Sequence, residues 1–167
     1  MPATSETTAT PSKPPTTVER KSDRELLVTR TMNAPARLVF DAFTNADLFR
    51  KWWVPKSFGI QLLSCEVDAR VGGGYRLVFA AGENQMAFFG KYLEVVPSSR
   101  LVWTNEEGPD GAVTTLTLEE KGGQTVIRLL DVYSSKEALD AGAGDKDGMG
   151  ETFAQLEEIL GVGTSRV

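Results

Sequence analysis

The chain contains no histidine, and that absence removes imidazole bases, His-containing triads and His metal ligands together. Its single cysteine, Cys65, permits no internal disulfide, so a reducing compartment, the cytoplasm, is the expected home. With one thiol and no imidazole, neither a metal site nor a metal cofactor is expected. No apolar run approaches the ~20 residues of a membrane-spanning helix. There is no basic excess either: 18 Lys and Arg against 23 Asp and Glu give a net charge of −5, which opposes a broad phosphate-binding surface and makes nucleic acid an unexpected partner. Gly72-Gly73-Gly74 is followed by a strand rather than by Lys-Ser/Thr and a helix, so it reads as a tight turn and not as a phosphate cradle.

What is present is an ordinary globular composition, 41% hydrophobic and 25% charged over 167 residues, enough for one domain with one core. Twelve of the first seventeen residues are Thr, Ser or Pro, and the stretch lacks the apolar middle of a secretory signal. Residues 1–23 are therefore expected to form a flexible tail, and residues 24–163 a single domain.

The most informative stretch is 33–55, NAPARLVFDAFTNADLFRKWWVP. Asn33 as cap and Pro35 in the first turn predict a helix whose apolar face carries Val39, Phe40 and Phe43. Thr44 and Asp47 resemble a capping box that opens a second short helix, with Leu48, Phe49, Trp52 and Trp53, stopped by Pro55. Two adjacent tryptophans on a helix cannot both point at one core. Residues 25–32 read as a first strand, and six β-prone segments follow near 60–67, 75–80, 86–96, 100–105, 112–119 and 125–132, separated by Gly- and Pro-rich turns. A final helix carries Met149, Phe153, Leu156 and Leu160 on its apolar stripe, with Glu151, Gln155, Glu157 and Glu158 opposite and Gly161 as a C-cap. Gly148 and Gly150 in its first turns predict close approach of another backbone or room for a bound molecule. The sum is an α+β domain, about seven antiparallel strands with helices on one face.

Residues 30–55, RTMNAPARLVFDAFTNADLFRKWWVP, resemble the opening of START-like (SRPBCC) domains of the group related to the C-terminal domain of the activator of Hsp90 ATPase, through Arg30, Ala34, Pro35, Val39, Phe40, Ala42, Trp52, Trp53 and Pro55. Asp68, Arg70, Gly72, Gly73, Tyr75 and Arg76 resemble the group's D-x-R-x-G-G-x-[YF]-R signature, and Gly90, Tyr92, Glu94, Pro97, Leu101 and Trp103 match its next two strands. The resemblance covers about residues 25–161 and implies a helix-grip fold, a curved sheet wrapped round the long C-terminal helix over an apolar cavity. Gly148-Met149 stands where many relatives have Gly-Trp, so ligand identity is not carried over.

Trp52, Trp53, Phe58, Tyr75, Phe79, Phe88, Trp103, Met149 and Phe153 are the candidate cavity lining, each weighed against a plain core role. Among strand charges that alternation could turn inward, namely Arg30, Arg76, Glu94, Arg128 and Asp131, the chosen polar anchors are Arg76, Glu94 and Arg128. Cys65 has no cationic neighbour in sequence and reads as a structural thiol, and adjacent carboxylates such as Glu119-Glu120 read as solvated charge. The resulting expectation is a binding module for a small hydrophobic or amphipathic molecule. The alternatives are a co-chaperone-like partner of an Hsp90-type ATPase and a cavity-based cyclase or hydrolase working without histidine. No catalytic residue is singled out, and a homodimer is left open.

Overall fold

The computed structural model describes residues 16–54, 56–106, 111–142 and 149–160. In chain order they form β1 (Thr17–Arg20), β2 (Glu25–Met32), α1 (Ala36–Thr44), α2 (Ala46–Trp52), a 3-10 turn at Lys56–Phe58, β3 (Gln61–Val67), β4 (Gly74–Ala81), β5 (Asn84–Val96), β6 (Arg100–Thr104), β7 (Val113–Lys121), β8 (Gln124–Val132), α3 (Lys136–Gly142) and α4 (Met149–Leu160). The strands make one antiparallel sheet in the order β1-β2-β8-β7-β6-β5-β4-β3, with α1, α2 and α4 packed on its concave face. This is the helix-grip arrangement.

The sheet has eight strands where about seven were expected. Thr17–Arg20 pairs with Leu26–Thr29 although all four of its side chains are exposed, so backbone hydrogen bonding to the open edge of β2 holds it without apolar burial. Arg20, which forms an ion pair with Asp140 of α3, and Thr16, whose hydroxyl accepts from Arg30 at 2.8 Å, tie down its two ends.

The curvature comes from β5. Its first half, Asn84–Lys91, pairs with β4 and its second half, Tyr92–Val96, with β6, with a register shift between Tyr92 and Glu94. Such a bulge bends its strand and increases the local twist. The Gly-rich signature then closes the rim: Gly72, at φ +88°, donates to Tyr92 O at 3.2 Å, and Tyr92 N donates back to Gly73 O at 3.0 Å.

Capping differs from the expectation in a consistent way. Asn33 is exposed and Pro35 is the N-cap residue of α1, with extended φ and ψ. The N–H of Ala36 is satisfied instead by the Glu120 carboxylate of β7 at 2.8 Å, and Thr125 Oγ1 donates to Ala34 O at 2.6 Å. The helix start is thus anchored by the β7–β8 hairpin, a partner 84 residues away that local pattern cannot show. Helix α2 is capped by Asn45, whose side chain accepts from Leu48 N at 3.2 Å, and not by Thr44, whose hydroxyl bonds back to Phe40 O.

The core gathers around Trp52. It has no exposed surface, its Nε1 donates to Ala42 O at 3.0 Å, and its ring meets Phe43 edge-on at 4.9 Å, Phe49 at 5.5 Å and Phe153 of α4 in a stack at 6.3 Å. The polar face expected for α4 is also revised: Gln155 is buried, and Glu157 forms a 2.8 Å ion pair with Arg30 of β2 in which both side chains are largely covered. Gln155 Nε2 donates to Trp52 O and Val54 O, each at 2.9 Å, while Oε1 accepts from Lys56 N at 2.9 Å. At the N-terminal end of α4, the Ser57 hydroxyl and N–H both donate to Glu151 and hold its carboxyl below the usual range.

Replacing Trp52 by Ala should cost about 3–5 kcal/mol in urea unfolding, as for other fully buried aromatics, and Trp53→Ala distinctly less. Gln155→Leu, similar in volume, should cost about 2–3 kcal/mol because three backbone groups lose their partner. Because the folded-state pKa of Glu151 lies below its unfolded value, its clasp is present above the unfolded pKa and lost as pH falls through the folded one. Hydrogen-exchange protection around the start of α4, measured against the intrinsic rate at each pH, should therefore fall as the pH drops below the ordinary glutamate range.

Candidate functional site

The principal helix contacts with the sheet are α4 on β2, α1 on β7 and β8, and α2 on β3. The helices therefore cover both flanks of the concave face, and β4, β5 and β6 at its middle carry none of these principal contacts. Trp103 of β6 shows the consequence. It is flanked on the same face by Tyr92 of β5 and Thr114 of β7, both buried, yet it remains partly exposed. Tyr75 of β4 is in the same position between Val67 and Gly90. Both rings pack against the core on one side and keep part of their surface open, so cover over this part of the face is incomplete among the described residues.

The candidate lining separates into three groups. Trp52 and Phe153 have no accessible surface and belong to the core, which removes them from any wall, while Phe79 is buried at 8% exposure against Phe88 at 5.3 Å. Trp53, Tyr75, Phe88 and Trp103 are partly exposed around the middle of the concave face, and Phe43 lies 6.5 Å from both Trp53 and Trp103, joining the two rims. Phe58 stands half in solvent on the 3-10 turn, because the three-residue turn has no buried face. The Met149 side chain and Gly148 lie outside the described residues. A Cβ on Gly150 would meet nothing within 4 Å, so no backbone approaches it closely.

The chosen polar anchors are corrected by strand alternation. Arg76, Glu94 and Arg128 are all exposed on the convex side: Glu94 accepts from Arg100 at 2.6 Å, and Arg128 bonds Glu119 at 3.1 Å, which with Lys121 holds the Glu119 carboxyl below its usual range. Arg76 borders an open hollow of about 300 Å³ at the β3–β5 edge, whose lining also includes Glu66, Asp68, Gly74 and, from the other face, Val67, Tyr75 and Gly90. The inward charges are Arg30 and Asp131. Asp131 is 4% exposed and accepts from Thr114 Oγ1 at 2.6 Å. Asn105 continues that line: its Nδ2 donates to Thr114 Oγ1 at 3.0 Å and to Ala112 O at 2.7 Å, and its Oδ1 lies 3.0 Å from the Tyr75 hydroxyl.

Asn105 and Thr114 were not among the sequence candidates. A signal for Thr114 and Asp131 exists all the same, since each is polar at a position whose period-two neighbours, Leu116 and Leu118 or Leu129 and Ile127, face the core. Asn105 carries no such signal because it lies just past the end of β6.

Cys65 is partly buried beneath α2, its Sγ 3.7 Å from Ala46 O, and burial pushes its thiol up, away from the thiolate that a nucleophile needs. Burial likewise raises the Tyr92 phenol. Among the described residues no three His, Cys, Asp or Glu side chains form a group fit to hold a metal, and no helix is long and apolar enough to cross a membrane.

Solved structures share this architecture. A protein of Nitrosomonas europaea, 26% identical, matches with a TM-score of 0.76 over 86% of this chain and 97% of its own. One from Chromobacterium violaceum, 28% identical, gives 0.70 over 83% and 98%. One from Rhodobacter sphaeroides, 22% identical, gives 0.79 over 89% and 99% and speaks for the fold alone. No curated protein matches. The family model of activator of Hsp90 ATPase homolog 1-like proteins matches residues 33–161, which span α1, the tryptophan-bearing α2, strands β3 to β8 and α4, and the chain belongs to that family.

Proposed function

We propose that the uncovered middle of the concave face binds a small amphipathic molecule, with Trp53, Tyr75, Phe88 and Trp103 as its apolar walls. The observation that carries this reading is Trp103, partly exposed at the centre of the sheet between two buried neighbours. Small-molecule sites are mostly apolar, concave and supplied with few polar groups. Here the polar groups are Asn105, Thr114 and Asp131, and they replace the outward Arg76, Glu94 and Arg128 in that role.

The role fits the burial pattern better than catalysis does. The raised Cys65 thiol and Tyr92 phenol are held in their neutral forms by burial, whereas a general base works best with a pKa near the operating pH. The shape also supports reversible binding. The aromatic walls stand on rigid strands and on the end of α2, so little ordering is needed on association.

Thermal-shift and native mass spectrometry against a panel of aromatic and lipid-like compounds should reveal at least one stabilising ligand with one-to-one stoichiometry. Trp103→Ala should weaken that ligand by about tenfold or more, consistent with a buried aromatic anchor, while lowering the unfolding midpoint less than Trp52→Ala does. A panel without hits, or a Trp103→Ala protein that binds as the wild type does, would contradict the proposal.

A further inference from the structure

A chain of hydrogen bonds crosses the concave face from β4 to β8. The Tyr75 hydroxyl faces Thr104 O at 2.9 Å and Asn105 Oδ1 at 3.0 Å; Asn105 Nδ2 donates to Ala112 O and Thr114 Oγ1; Thr114 Oγ1 donates to Asp131 Oδ1. It passes over β5 at Gly90, where a Cβ would meet Thr104 O at 1.8 Å and Tyr75 Cε1 at 3.0 Å, so glycine is what lets the ring cross the strand. Trp103 lies two residues before Asn105, on the same face by strand alternation.

The direction of this chain determines what it offers a ligand. Both amide hydrogens of Asn105 are committed, one to a backbone carbonyl and one to a hydroxyl, which fixes the amide with its oxygen toward Tyr75. A phenol has one hydrogen, and here it is divided between two acceptors; an amide oxygen has two lone pairs. Asn105 Oδ1 therefore receives at most one shared hydrogen and retains capacity for a further donor. The donors of Asn105 and Thr114 run the other way, toward the buried carboxyl of Asp131. An anion placed here would meet an acceptor oxygen while losing its own hydration, which is costly.

We infer that the ligand of the concave hollow is an uncharged ring compound bearing a hydroxyl or N–H donor, and that Asn105 Oδ1 is the acceptor that selects it. This rests on the reading that the hollow binds a small molecule at all. Asn105 then discriminates against the bare hydrocarbon, which leaves the acceptor unfilled, and against carboxylates such as fatty acids, which repel it.

Isothermal titration of the full chain with naphthalene, 1-naphthol and 1-naphthoate separates these ideas, because the three share one ring system. 1-Naphthol should bind about fivefold or more tightly than naphthalene, the range of one net hydrogen bond, and 1-naphthoate most weakly. Tyr75→Phe removes the competing hydrogen and should raise the naphthol-to-naphthalene ratio, whereas Asn105→Ala should bring it to about one; a merely structural role for either residue would weaken both compounds equally. Should Asn105→Ala fail to fold, the Tyr75→Phe ratio decides: a rise supports the inference, and an unchanged or lower ratio overturns it. Equal wild-type affinities, or a preference that survives Asn105→Ala, overturn it while leaving ligand binding intact. Failure of all three compounds to bind overturns both.

Discussion

Helix α4 is fastened at its middle by one side chain. Gln155 satisfies the carbonyls of Trp52 and Val54 and the N–H of Lys56, backbone groups at the end of α2 and in the link to the 3-10 turn. Two residues earlier in α4, Phe153 stacks on the Trp52 ring, which is itself pinned by its indole N–H to α1. A buried amide with both hydrogens and its oxygen engaged fixes orientation, and the stacked aromatics supply the apolar burial. Three helices are thereby locked into one body. Arg30 and Glu157 then join that body to β2 at the flank of the sheet.

The open centre follows from this fastening. Because α4 is drawn onto α1, α2 and β2, its principal contacts among the described residues lie away from β4, β5 and β6, and β5 bends at Tyr92–Glu94 between its pairing with β4 and with β6. The largest rings in this region, Tyr75 and Trp103, are only partly buried among the described residues. The same region holds the transverse line of polar groups from Tyr75 to Asp131. A core would ordinarily avoid such groups or satisfy them more economically. Placed beside an uncovered tryptophan, they give the hollow one polar side and one aromatic side.

Much of the fold was legible because its signals are local. The six segments after Pro55 alternate with period two between glycine turns, and each became a strand near its expected place. The surplus tryptophan was legible as well: Trp52 is buried and Trp53 is not. What escaped depended on partners distant in sequence. The Ala36 N–H is capped by Glu120, and the edge of β2 recruits Thr17–Arg20 through backbone bonds alone. Gln155 and Glu157 read as solvent-facing because helix periodicity marks a polar side chain without revealing what waits opposite it. The polar anchors failed for a related reason. The choice fell on Arg76, Glu94 and Arg128, although period-two alternation with Leu129 and Ile127 already marked Asp131 as inward, and the register between strands shows Arg30 on the same face.

The central claim is that the concave face between the helices and β4–β6 is the binding surface, and the three tryptophans report on it directly. In a 15N-labelled protein, titration with 1-naphthol should move the indole N–H resonance of Trp103, and that of Trp53 to a smaller degree. The Trp52 resonance, locked on Ala42 O inside the core, should stay in place. Shifts confined to the convex residues around Glu66 and Arg76, or a spectrum in which Trp103 does not respond, would contradict the account.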